Sequence, residues 1–191
     1  MHYKQALSAG ALALAVVLTG CSNDSDDNGE PGSSSTTKDF NKTDVSFAQD
    51  MIPHHRQAVE MADLAETRAS DPKVKKLAAQ IAGAQDPEIE TMTGWLKDWD
   101  QKVPADHSGM DMSSSMPGMM STKDMAKLKA STGPGFDTQF LTMMAAHHKG
   151  AIEMAKTEQS DGKYAEAVAL AKQIESAQTG EIKTIESLLQ S

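Results

Sequence analysis

Phe47-Ala-Gln-Asp-Met51-Ile-Pro-His54-His55-Arg-Gln-Ala-Val-Glu-Met61-Ala62 returns 93 residues later as Phe140-Leu-Thr-Met-Met144-Ala-Ala-His147-His148-Lys-Gly-Ala-Ile-Glu-Met154-Ala155. The same offset pairs Ile81 with Ile174, Gln85 with Gln178, Glu88 with Glu181, Ile89 with Ile182 and Leu96 with Leu189, and it needs no gap. The chain therefore carries two copies of one supersecondary unit, and each copy can bury its apolar face on the other. At 100° per residue, Phe47, Met51, His54, Ala58, Met61 and Ala65 fall on one helix face, with Val59 and Glu60 pointing away. Asp71-Pro72 starts a second helix, with Pro at its first position. Its inner stripe is Val74, Ala78, Ile81, Gln85, Glu88, Met92, Leu96 and Trp99.

The pattern predicts helices over about 44–69 and from 71 onward in the first copy, and over about 137–158 and 164–189 in the second. Two helical hairpins of this kind make an all-α four-helix bundle. Pro53 and Pro87 fall inside helical stretches and should kink or break them. Their counterparts are Ala146 and Gly180, so position 87/180 holds a poor helix former in both copies. The expected organisation is a leader over 1–20, a tether over 21–42 and the duplicated body over 43–191. Within the body, copy one spans 44–100 and copy two 137–190, joined by a Met-rich linker over 101–135 with a short helix near Ser121–Lys129.

Of 191 residues, 18 are Lys or Arg and 27 Asp or Glu, a net charge of -9. An acidic chain without a basic cluster is a poor partner for nucleic acid. Aromatics make up only 4%, which argues against an all-β sandwich or barrel, while Ala, Gln, Glu, Lys and Met favour helix. Lys4 followed by the apolar run Ala9–Leu18 reads as a secretory signal, too short to span a membrane comfortably. Leu18-Thr19-Gly20-Cys21 resembles the lipobox of bacterial lipoproteins, which implies that Cys21, the single Cys, carries lipid. Ser22–Lys38 is polar and should be a flexible tether. These features place the folded part outside the cytoplasm, attached to a membrane through a lipid anchor.

Two groups of residues carry chemistry. In the first, His54 sits at the centre of its apolar face and His55 about 100° round, at the flank. Met51 and Met61 share the inward face, and the second copy supplies Met144, His147, His148 and Met154. Imidazole and thioether are soft donors that suit copper, especially Cu(I), and Ag(I). The competing reading is a Met-rich core with two hydrogen-bonded histidines, because Met is more often core filler than ligand. If the first turn centres near residue 70, Gln85 and Glu88 lie level with His54, and Gln178 and Glu181 level with His147. A carboxylate on a core face costs several kcal/mol unless paired or coordinated. Glu88 and Glu181 then either support the histidines or ligate with them. The second group is the segment His107-Ser-Gly-Met110-Asp-Met112-Ser-Ser-Ser-Met116-Pro-Gly-Met119-Met120. Five Met in eleven residues, set among Gly, Ser and Pro, are expected to stay out of the core and wrap a soft ion.

The phrase His-His-x-x-Ala-[Val/Ile]-x-Met-Ala, followed by Ala-x-x-Ile-x-x-Ala-Gln-x-x-Glu-Ile, resembles the family known as domain of unknown function 305. The resemblance covers about Asp44 to Leu189 and both copies. It implies a ferritin-like four-helix bundle in a secreted bacterial protein, with copper binding and copper tolerance associated with some members. Its motif positions here are Met51, His54, His55, Met61, Gln85, Glu88 and their second-copy partners.

Three functions are consistent with these residues. The leading one is a lipid-anchored binder of Cu(I) or Ag(I) that buffers or hands over the ion without catalysis. The second is a redox or hydrolytic metalloenzyme using His54, His147, Glu88 and Glu181. The third is a metal-free helical interaction module.

Overall fold

The computed structural model describes residues 39–105 and 116–191. Cys21, His107, Met110 and Met112 lie outside the described residues, as do the expected leader and most of the expected tether. Among the described residues the chain is helical and has no strand: α1 is Lys42–Arg68, α2 Pro72–Asp98, α3 Thr122–Ala130, α4 Gly133–Asp161 and α5 Ala165–Leu189. None of these helices is long and apolar enough to cross a membrane.

The helix starts follow local chemistry. Asn41 caps α1 by accepting from the amides of Thr43 and Asp44, and the Asp44 carboxylate returns a bond to the Asn41 amide at 2.6 Å. This reciprocal box satisfies amides that no intrahelical carbonyl can reach. Asp71 caps α2 ahead of Pro72, and Ser121 caps α3. Phe40 stacks on Trp99 with ring centroids 4.7 Å apart, so packing begins just ahead of α1.

The prolines do not break their helices. α1 runs continuously through Pro53 and α2 through Pro87. The ring fixes φ at a helical value and removes one amide donor, a loss the surrounding turns and tertiary packing can carry.

α1 packs along α2 and α4 along α5; α1 and α4 pack on each other, and α2 touches α5 more lightly. The interior divides in two. One half joins Met61 and Ala65 of α1 to Phe136, Phe140 and Met144 of α4, with Ile81 and Ile185. The other joins Phe47 and Met51 of α1 to Ala151 and Ala155 of α4, with Met92 and Ile174. The start of α1 thus meets the end of α4 and the reverse, so the two helices run antiparallel. Shifting residue numbers by the repeat offset exchanges the two halves: Ile81 becomes Ile174, and Met92 becomes Ile185. Each buried Phe, Ile or Met adds about 1.5–3 kcal/mol by leaving water.

Two buried aspartates tie the copies together. Asp137, near the start of α4, accepts from the amides of Ser70 at 3.1 Å and Asp71 at 3.0 Å, in the α1–α2 turn. Asp44, near the start of α1, accepts from the amides of Lys163 at 3.0 Å and Tyr164 at 2.8 Å, in the α4–α5 turn. Each copy therefore holds the turn of the other through charge-assisted bonds.

Candidate metal centre

Between the two apolar halves lies a polar layer. His54, His55, His147 and His148 are all buried, as are Gln85 and Gln178. The imidazoles of His54 and His147 meet where α1 crosses α4, with ring centroids 3.7 Å apart. His55 is as fully buried as His54. The small residue Ala58 lies one turn further along α1, and Ala151 stands at the matching place on α4.

The carboxylates of Glu88 and Glu181 each meet a histidine of their own copy. Glu88 meets His55 Nε2 at 2.7 Å, and Glu181 meets His148 Nε2 at 2.6 Å. The phase around α2 and α5 turns these side chains outward, and they remain 20% and 19% exposed. A carboxylate accepts, so Nε2 of His55 and of His148 carries a hydrogen, and in the neutral ring the lone pair is then on Nδ1. Those Nδ1 atoms are buried and have no hydrogen-bond partner. A carboxylate that fixes an imidazole in this way is a usual support for a metal ligand.

The central pair is more exposed chemically although it is sealed from water. His54 Nε2 donates to the Pro117 carbonyl at 3.1 Å, while its Nδ1 lacks a partner. Neither ring nitrogen of His147 has one, nor do Gln85 Nε2 and Oε1 or Gln178 Oε1. Buried polar atoms without partners are rare and costly, about 1–3 kcal/mol each. Most of those among the described residues gather in this layer. Burial first, and then the neighbouring His55, pushes the pKa of His54 down to about 3, against the weaker pull of the Pro117 hydrogen bond. Burial and the adjacent histidines hold His147 well below its ordinary value. Both rings are neutral at pH 7, with lone pairs free of competition from protons.

Met51 and Met144 are fully buried one helical turn before His54 and His147. Met61 and Met154 are not brought to the rings. They lie two turns away, about 10.5 Å along the axis, Met61 inside one apolar half and Met154 at the edge of the other. No three His, Cys, Asp or Glu side chains among the described residues converge as a ready metal cluster. The donors in place are neutral nitrogens and thioethers, a set that fits a soft ion and suits a hard one poorly.

The end of the Met-rich segment is part of the body. Met116 and Met119 are buried, and Met120 packs against the first apolar half. The expectation that these residues stay out of the core fails because Gln57 grips Met120 twice, Nε2 to its carbonyl at 3.0 Å and Oε1 to its amide at 2.7 Å. α3 follows, burying Met125 and Leu128 and tied to α1 by Lys129 and Glu60 at 2.6 Å.

A family model, a domain of unknown function named DUF305, matches residues 44–189. The chain belongs to the DUF305 family. A DUF305 protein of Streptomyces coelicolor is 34% identical, with a TM-score of 0.69 over 77% of this chain and 91% of that one. A DUF305 fragment from Deinococcus radiodurans is 32% identical, with a TM-score of 0.70 over 78% and 97%. CopM in its Cu(I)-bound form is 32% identical, with a TM-score of 0.65 over 78% and 97%. CopM has also been solved in Cu(II)-bound and Ag-bound forms. A comparison with curated proteins found no match. Sequence reasoning missed the two aspartate clamps, although Asp44 and Asp137 stand at the repeat offset.

Proposed function

We propose that this DUF305 protein binds Cu(I) or Ag(I) outside the cytoplasm, as a lipid-anchored, ferritin-like four-helix bundle made of two repeated helical hairpins. The observation that carries the reading is the contact of two neutral, buried imidazoles, His54 and His147, whose nitrogens lack partners. His54, His147, Met51 and Met144 are the central donors. His55 and His148 offer Nδ1, with Glu88 and Glu181 orienting them. Gln85 and Gln178 stand in the same layer as polar neighbours. Met61 and Met154 would join only by a change of side-chain position. His107, Met110, Met112, Met116, Met119 and Met120 are the proposed capture segment, and the body holds the ion afterwards. The copper- and silver-bound forms of CopM support the choice of ion. The signal-like leader and Cys21 support the location.

The test is an anaerobic Cu(I) titration against a competing chelator. It compares the wild type, the His54→Ala/His147→Ala double variant and a deletion of residues 106–115. Tight binding that survives the deletion and is lost in the double variant is the expected result. Unchanged binding by the double variant would move the site out of the body. Absence of binding by every form would remove the metal reading and favour an interaction module.

A further inference from the structure

The two copies differ at one place on the repeated face where the structure supplies a reason. Gln57 in α1 corresponds to Gly150 in α4. The segment Met116–Met120 passes over both. Gln57 holds Met120 by two hydrogen bonds, and Gly150 lies directly under Pro117, where a Cβ would collide with the Pro117 carbonyl. Gly118 has φ +76°, and a Cβ there would come within 2.8 Å of the carbonyls of Ala146 and His147. A Gly inside a helix costs about 0.5–1 kcal/mol relative to Ala, and at position 150 that cost admits the strap. The strap ends on the polar layer, with the Pro117 carbonyl 3.1 Å from Nε2 of His54. His147, at the equivalent position, has no such partner.

We propose that the Pro117–Gly118 strap is a positioning element that holds His54 as its Nε2–H tautomer and so presents Nδ1 as the metal-binding nitrogen. A carbonyl oxygen can only accept, so the bond requires the hydrogen on Nε2. The lone pair then lies on Nδ1, which is buried and without a partner. Pro117 does for His54 what Glu88 does for His55 and Glu181 for His148, with a backbone carbonyl in place of a carboxylate. His147 is left free to use either nitrogen, and the central pair is chemically unequal although its helices are copies. The ligating part of this inference rests on the metal reading above; the tautomer does not.

The experiment is long-range ¹H–¹⁵N correlation of the imidazole nitrogens in ¹⁵N-histidine-labelled protein at pH 7, first free of metal and then with silver(I) nitrate added. It covers the wild type, Gly150→Ala, which expels the strap, and Gln57→Ala, which only loosens its grip. Far-UV circular dichroism checks that both variants fold. In the metal-free wild type, His54 should show a protonated Nε2 and a bare Nδ1. Gly150→Ala should give mixed tautomers at His54 and leave His55 and His148 unchanged, with Gln57→Ala shifting the same way to a smaller extent. A protonated Nδ1 in the wild type, or an unaltered His54 in Gly150→Ala, overturns the positioning role. Silver should shift Nδ1 of His54; a shift at Nε2 means the ion displaces the strap and overturns the proposal. If no imidazole responds to silver, the metal reading and the ligating role fall together, while the tautomer result stands.

Discussion

Replacing His147 by leucine is expected to stabilise the metal-free protein and to impair its response to metal. His147 is buried, and neither ring nitrogen has a partner. Leaving a buried donor or acceptor unsatisfied costs about 1–3 kcal/mol. Leucine removes both polar atoms at similar volume. Against this stand the lost ring contact with His54 at 3.7 Å, about 0.5–1.5 kcal/mol, and imperfect repacking, usually under about 1.5 kcal/mol. The balance is a gain of roughly 1–2 kcal/mol. With about 150 folded residues, each kcal/mol moves Tm by about 2–4 °C, so a rise of roughly 2–8 °C is expected. The assay is thermal melting followed by circular dichroism with a chelator present, then with silver(I). An ion at about 100 times its Kd stabilises the native state by about 2.7 kcal/mol. The wild type should show a gain of that order, and His147→Leu should lose most of it. A lower Tm for His147→Leu in chelator would refute the reasoning, because it would mean that the ring is satisfied and structural.

Three other perturbations probe separate parts. Asp137→Ala strips the acceptor from the amides of Ser70 and Asp71, and should lower stability by about 2–4 kcal/mol. Urea unfolding reads this as a lower midpoint at constant slope, and an unchanged midpoint would show that the clamp is idle. Glu158 is fully buried; burial first, then the neighbouring Asp44 carboxylate, raise its pKa from 4.5 to about 8. The folded state therefore keeps a proton that the unfolded state has released between those values. Stability should fall as pH rises through that window, by a few kcal/mol at most. Glu158→Gln should remove this part of the slope, and parallel pH curves for variant and wild type would contradict the assignment. Finally, Glu88→Gln with Glu181→Gln should leave helicity intact while weakening silver(I) affinity by about 10–100-fold, read by competition with a chelator. Equal affinity would deny these carboxylates a role in orienting His55 and His148.

The repeat and the helical period made the helices legible, because both follow from spacing alone. The His54/His147 contact was also within reach, since two copies of one face must meet at equivalent residues. The partner of Glu88 was not. A wheel resolves faces to about 100°, and His54 and His55 differ by that angle, so the choice between them depends on phase. Met116 and Met119 read as loop because their neighbours are Gly, Ser and Pro. Their burial depends on Gln57 and Gly150, which lie 63 and 32 residues from Met120 and Gly118. That divergence between copies was visible as Gln against Gly. Its meaning required knowing what passes above. The aspartate clamps were hidden for a similar reason: an Asp in a first turn is an ordinary capping residue, and nothing local says that Asp137 reaches Ser70.

The crossed clamps bear on how such a molecule can change. A chain holding a single copy would have its Asp aimed at an absent turn and half of a core. It could complete both only by pairing with an identical chain. Every substitution in that symmetric pair would then appear on both sides of the centre. Joining the copies in one chain lifts this restriction. Position 57/150 can be a clasp on one side and a gap on the other, and position 65/158 can be Ala on one side and a buried acid on the other. The linkage thus does more than raise the effective concentration of two halves; it lets one imidazole of a matched pair acquire a neighbour that the other lacks.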